Sequence, residues 1–138
     1  MRSSLIWVGA SVLAGYIGAE RCKLCHRDVY ESWRRTPHAS TQTVGVDADK
    51  RCVACHTSDG ARLSGVQCEA CHGAGSDYWP AEVMIDPDKA SMAGLVRPTE
   101  ATCRRCHAAE DAEPDHLRDF VMPGAAEWVR SVHVRTKP

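Results

Sequence analysis

All eight cysteines of this 138-residue chain occur in one short pattern, Cys-x-x-Cys-His, which is present four times. Two thiols at this spacing can add to the two vinyl groups of one porphyrin edge, and the adjacent histidine can then bind the iron. The pattern therefore predicts covalent attachment of haem c. The attachment cysteines are Cys22 and Cys25, Cys52 and Cys55, Cys68 and Cys71, and Cys103 and Cys106, and the proximal iron ligands are His26, His56, His72 and His107.

Other interpretations of paired cysteines explain this pattern less well. Two pairs can form a four-cysteine zinc site and one pair can act as a redox dithiol, but neither chemistry requires a following histidine every time. Residues 68–75 (CEACHGAG) also fit the zinc repeat of some chaperones, although the other three motifs lack these glycines. Disulfides could pair the cysteines, but no cysteine is left over from the haem pattern. We therefore expect four covalently bound haem c groups.

Four haems in a chain of this length leave little room for an ordinary core. Aromatic residues make up only 6% of the sequence, and the haem content would be roughly one for every 31 residues. We therefore expect the haems themselves to form the core. The predicted fold class is mainly α with much irregular structure and little sheet, a single compact multihaem cytochrome c domain wrapped around four haems.

The first residues are typical of an export signal. A positive residue at position 2 precedes a run of thirteen apolar residues, 5–17 (LIWVGASVLAGYI), which is short for a membrane span. Small residues allow cleavage after Ala14. We predict a signal peptide at 1–14 and a tetrahaem cytochrome c domain at 15–138, with a buried first helix or an uncleaved anchor as alternatives. Export would place the protein on the periplasmic or extracellular side of the membrane, where c-type haem is attached.

Local signals predict several helices. A helix over 19–35 should end at Thr36-Pro37, because the residue before proline avoids helical geometry. The pair Asp86-Pro87 predicts the start of a helix over 86–93, and Gly94 its end. Further helices are expected over 99–109 and 125–134. Residues 44–50 should form a loop, 51–56 a haem-binding turn, and 58–65 a polar connection that could be a small hairpin.

The histidine count makes the four motifs unequal. Of seven histidines, three lie outside the motifs, namely His38, His116 and His133. Four irons would each need a sixth ligand, so one haem is either open or bound by methionine; Met84, Met92 and Met122 are the candidates. His116 could equally be a solvated residue. His38 follows His26 by twelve residues, about 18 Å along an intact helix, and should serve a different haem.

Three stretches resemble a known family. They are residues 16–22 (YIGAERC), 33–39 (WRRTPHA) and 65–75 (GVQCEACHGAG). They are similar to the tetrahaem cytochrome c family, whose best-known member accepts electrons from hydroxylamine oxidoreductase. The resemblance covers nearly all of the chain after residue 14 and includes the four motifs in order.

The resemblance implies a ligand set. His38 would be the distal ligand of the haem on His72, and His133 that of the haem on His107, whereas the haem on His56 would be five-coordinate. The family's distal histidine for the first haem is missing, since 73–105 contains none; Met84 lies close to its place. The resemblance also implies stacked haem pairs, the first with the third and the second with the fourth.

The expected function is extracytoplasmic electron transfer between redox proteins, a donor and an acceptor, through closely packed haems. The net charge of −1 and the absence of a basic run argue against nucleic acid. No catalytic residue is predicted. One alternative is a reductase of nitrogen oxides at an open haem on His56, and another is a haem subunit of a larger membrane complex or filament, with a ligand from a neighbouring subunit.

Overall fold

The computed structural model describes residues 15–40, 53, 55–58, 63–107 and 127. These residues form short helices and irregular segments with very little sheet, as the sequence predicted. The helices are α1 (Ala19–Cys22), α2 (Arg27–Trp33), α3 (Pro37–Ser40), α4 (Cys68–His72), α5 (Ala81–Met84), α6 (Pro87–Met92) and α7 (Glu100–His107), and strand β1 (Thr57–Ser58) pairs with β2 (Leu63–Ser64). None of the helices in the described ranges has the length and apolar character needed to cross a bilayer.

The first predicted helix is broken, so the prediction of one helix over 19–35 was wrong. The break coincides with the first haem motif: the backbone at His26 has φ −117° and ψ 48°, outside helical geometry. A new helix, α2, begins at Arg27 and ends at Trp33, before the predicted stop. Proline then occupies the first position of α3, which is favourable because its missing N–H would have no helical partner. The length of an intact helix therefore does not separate His26 from His38.

The predicted small hairpin is confirmed. Its strands are antiparallel, with Thr57 opposite Ser64 and Ser58 opposite Leu63. The buried Ser58 hydroxyl donates to the Gly65 carbonyl at 3.1 Å and accepts from the Gln67 N–H at 3.0 Å. These two bonds place the hairpin directly before α4 and its haem motif.

The predictions for residues 86–107 are also confirmed where the structure describes them. The Asp86 side chain caps α6 by accepting from the N–H groups of Asp88 and Lys89, at 3.1 and 3.2 Å. Gly94 follows the helix with φ 102°, a conformation that favours glycine. The fourth motif ends α7. The sequence did not predict α5. The proposed loop at 44–50, half of the turn at 51–56 and all of the proposed helix at 125–134 except residue 127 lie outside the described residues.

The apolar core among the described residues is sparse. Its buried members are three alanines and two tyrosines (Ala19, Tyr30, Ala39, Tyr78 and Ala90), while the largest side chain with under 2% exposure is the charged Glu69. Folded domains normally fill their interior to high density with large apolar side chains. These elements therefore do not make such an interior from side chains alone. The wrapping of four haems remains a prediction.

Candidate haem sites

The third motif is built around a buried glutamate. Glu69, within α4, is only 1% exposed. Its carboxylate accepts hydrogen bonds from the backbone N–H groups of Ile17 (2.9 Å), Gly18 (2.8 Å) and Gly75 (2.7 Å). A buried carboxylate needs such donors, because a buried polar group without a hydrogen-bond partner costs about 1–3 kcal/mol, and a charged group costs more. Glu69 therefore ties the segment before the first motif to the third motif.

Two glycines after the third motif make this arrangement possible. A Cβ on Gly75 would lie 2.8 Å from Glu69 Oε1, so a side chain there would displace the carboxylate. Gly73 has φ 83° and ψ 168°, a region that only glycine adopts readily. Gly75 thus leaves room for the buried glutamate, whereas Gly73 leaves room for the Gly94 carbonyl oxygen. The sequence carried no signal for this role of Glu69, which reads there as a variable position of the motif.

The ring of His72 is oriented by the backbone of a distant segment. Its Nδ1 lies 3.0 Å from the Val96 carbonyl oxygen, and the Val96 N–H donates to the His72 carbonyl at 2.9 Å. When Nδ1 carries the proton that this carbonyl accepts, Nε2 keeps its lone pair for a metal. This is the arrangement expected of a proximal iron ligand.

Cysteines from different motifs meet in the structure. Cys22 of the first motif contacts Cys68 of the third through a side-chain hydrogen bond, and Cys55 of the second contacts Cys106 of the fourth in the same way. The hydrogen bond to Cys22, together with burial, raises the pKa of Cys68 well above its ordinary value. Burial, aided by Cys55, raises the pKa of Cys106 to about 12. The hydrogen bond between Cys22 and Cys68 also lowers the pKa of Cys22.

The third and fourth motifs are also neighbours. Burial raises the pKa of Cys71, and the nearby Cys103 raises it further. The guanidinium of Arg105, on α7, donates to the Ala70 carbonyl, on α4, at 2.6 Å. A cavity of about 300 Å³ lies beside Cys71, with Val96 and Arg105 in its lining. The two motif-bearing helices thus enclose a space next to an attachment cysteine.

Comparisons with known proteins agree with this arrangement. The family described as cytochrome c7 and related cytochrome c matches residues 12–73, a range that includes the first three motifs. The chain is also similar to cytochrome c-554 of Nitrosomonas europaea, with 29% identity over an alignment of 96 positions. The alignment covers 47% of this chain and 41% of that protein. The chain is therefore similar to multihaem c-type cytochromes. These matches confirm the resemblance found in the sequence; no solved structure matches the chain at a comparable level.

The residues of the motifs fit the haem that the matched family implies. The described cysteines of the motifs are free thiols that form no disulfide. The apolar interior of the described residues is sparse, and His72 has a ring nitrogen available in the tautomer that donates to Val96. Haem iron, when bound, supplies a reversible one-electron couple. The chain's own residues would hold it: the cysteines by thioether bonds and the motif histidines by their ring nitrogens.

The remaining predicted site residues lie in different surroundings. His26 is exposed immediately before α2, His56 is half-buried, and Met84 is half-buried at the end of α5. The rings of His38 and His107 lie together, with centroids 5.9 Å apart. Cys52, His116 and His133 lie outside the described residues. Within the described ranges, no three or more His, Cys, Asp or Glu side chains converge as a metal-binding group.

Proposed function

We propose that this chain is a multihaem c-type cytochrome that binds four haem c groups and transfers electrons between redox proteins on the extracytoplasmic side of the membrane. The observation that carries the proposal is the contact between attachment cysteines of different motifs. Cys22 meets Cys68, and Cys55 meets Cys106. Because the two cysteines of each motif would hold one haem, contacts between cysteines of different motifs favour neighbouring haems.

The contacts support a continuous path through all four motifs. The first motif meets the third, the third meets the fourth through Cys71 and Cys103, and the fourth meets the second. The pairs of first with third and second with fourth are those that the family resemblance implies. The proximal ligands in this proposal are the motif histidines His26, His56, His72 and His107, while Met84 remains the predicted distal ligand of the haem on His26.

The extracytoplasmic location rests on the cofactor and on the sequence at 1–14. Haem c is attached outside the cytoplasm, and the predicted signal peptide would deliver the chain there. The partners in this proposal are a protein electron donor and a protein acceptor. Cytochrome c-554 supports this kind of partner by similarity, although the chain spans less than half of that protein's length.

The test is to purify the protein from a host that attaches haem c and to measure its intact mass and redox titration. We expect the mass of four haems, complete reduction by a small-molecule donor and reoxidation by an acceptor. Replacing both Cys103 and Cys106 by serine should remove one haem and leave the mass of three. A wild-type mass with fewer than four haems contradicts the count, and a protein that cannot be reduced and reoxidised contradicts electron transfer.

A further inference from the structure

The side chains of His38 and His107 lie next to each other although they are far apart in sequence. His38 belongs to α3, and His107 is the last residue of α7 and the histidine of the fourth motif. Their ring centroids are 5.9 Å apart and the ring planes make an angle of 59°. The family resemblance instead associates His38 with the third motif, so this juxtaposition calls for its own explanation.

The separation is that of two imidazoles bound to opposite faces of one iron. Each iron–nitrogen bond is about 2 Å long and the ring centre lies about 1 Å beyond the nitrogen, so two such rings have centroids about 6 Å apart. The angle between the planes is unrestricted in this arrangement, because each ring needs only to contain the ligand–iron axis. Both observed values are therefore compatible with a shared iron.

His38 is held in this place by contacts that involve no cofactor. Its carbonyl accepts from the Val66 N–H at 3.0 Å, and the Val66 carbonyl accepts from the Trp33 indole N–H at 2.9 Å. The Thr36 hydroxyl donates to the Trp33 carbonyl at 2.7 Å, which fixes the turn between α2 and α3. The backbone that carries His38 is thus positioned by the chain itself, as a preorganised ligand requires.

We propose that His38 and His107 are the two axial ligands of the haem attached through Cys103 and Cys106. This inference rests on the proposed haem attachment and deepens it by assigning a ligand pair. It differs from the set implied by the resemblance, in which His38 binds the haem on His72. It also makes the segment after the first motif a bridge to the fourth haem.

A simple packing contact is the competing explanation. Two half-buried aromatic rings often pack edge to face, with centroids about 4.5–7 Å apart. Such a contact needs no iron between the rings. The two explanations differ in what the loss of the His38 imidazole does to the iron, and this difference can be measured.

The first experiment uses the haem-loaded protein and the variant His38→Ala, with Ser40→Ala on the exposed side of α3 as the control. In low-temperature electron paramagnetic resonance, the signal of one haem iron should change from low spin to high spin in His38→Ala and in neither the control nor the wild type. Added imidazole should restore the low-spin signal. An unchanged spectrum would identify the packing contact and overturn the inference.

A crystal structure of the haem-loaded wild-type protein shows which haem iron His38 binds. A bond from His38 to the iron of the haem on Cys103 and Cys106 is the expected result. A bond to the haem on Cys68 and Cys71, or to no iron, overturns the assignment. Intact mass separates this failure from that of the proposed function: four haems without a His38 bond refute only the ligand pair, whereas missing haems refute the haem count itself.

Discussion

The third and fourth haem motifs share one sequence pattern but are supported differently. In the third, Glu69 is buried and bonded to three backbone N–H groups, and the Gly15–Ala19 segment lies against it. In the fourth, none of the eight described residues of α7 is buried. Its Glu100 is exposed and pairs with Arg104 one turn along the same helix.

The comparison shows that the motif specifies attachment chemistry, not local stability. Polypeptide contacts already hold the third motif, because a buried carboxylate fixes several backbone groups at once. The described contacts of the fourth motif outside its own helix are made by single side chains, among them Cys106 with Cys55, His107 with His38 and Arg105 with the Ala70 carbonyl. We therefore expect the fourth motif to depend more on its haem, and variants in the two helices should differ sharply.

The largest effect should follow Glu69→Ala. The change leaves the N–H groups of Ile17, Gly18 and Gly75 buried without their acceptor, at about 1–3 kcal/mol each. We expect the free energy of unfolding to fall by about 3–5 kcal/mol, measured by chemical denaturation of the haem-loaded protein.

Glu100→Ala is the matched control, since it removes a glutamate from the other motif-bearing helix. Exposed ion pairs contribute little, so the loss should stay within about 0.5 kcal/mol. Similar losses for the two variants would contradict the difference between the motifs.

A smaller effect is expected for Gly73→Ala. The position has a positive φ, and a Cβ would lie 3.0 Å from the Gly94 carbonyl oxygen. We expect a loss of about 2–3 kcal/mol in the same unfolding measurement. Gly94→Ala is the control: its φ is also positive, but no atom lies within 4 Å of the added Cβ. It should cost about 1–2 kcal/mol, and an equal or larger loss would show that the contact at Gly73 is unimportant.

The sequence predicted the parts of this molecule that depend on local chemistry. Proline after aspartate marked the start of α6, and glycine marked its end. The hairpin before α4 and the helix of the fourth motif were also expected. These signals are readable because each acts over a few neighbouring residues, through a cap, a fixed φ or a missing N–H.

The features that were missed depend on residues distant in sequence. The break between α1 and α2 lies within the first motif, where helical propensity gives no warning. Glu69 acts through N–H groups of Ile17 and Gly18, about fifty positions away, and His38 reaches His107 from a different element. No periodicity encodes such partners, so the sequence could count the spare ligands but could not say which motif each one meets.

The smallest effect on stability should follow the loss of the hydrogen bond that joins the third and fourth motifs. Arg105→Ala removes the hydrogen bond from α7 to the Ala70 carbonyl, a contact at an exposed site that contributes about 1 kcal/mol. Because no residue of α7 is buried, we expect its amide hydrogens to exchange about fivefold faster, whereas those of α4, held by Glu69, should not change. Hydrogen exchange of the haem-loaded protein measures both helices together, and Arg104→Ala, which loses only a contact within α7, is the control. Equal acceleration in α4 and α7 would mean that the two motifs form one cooperative unit.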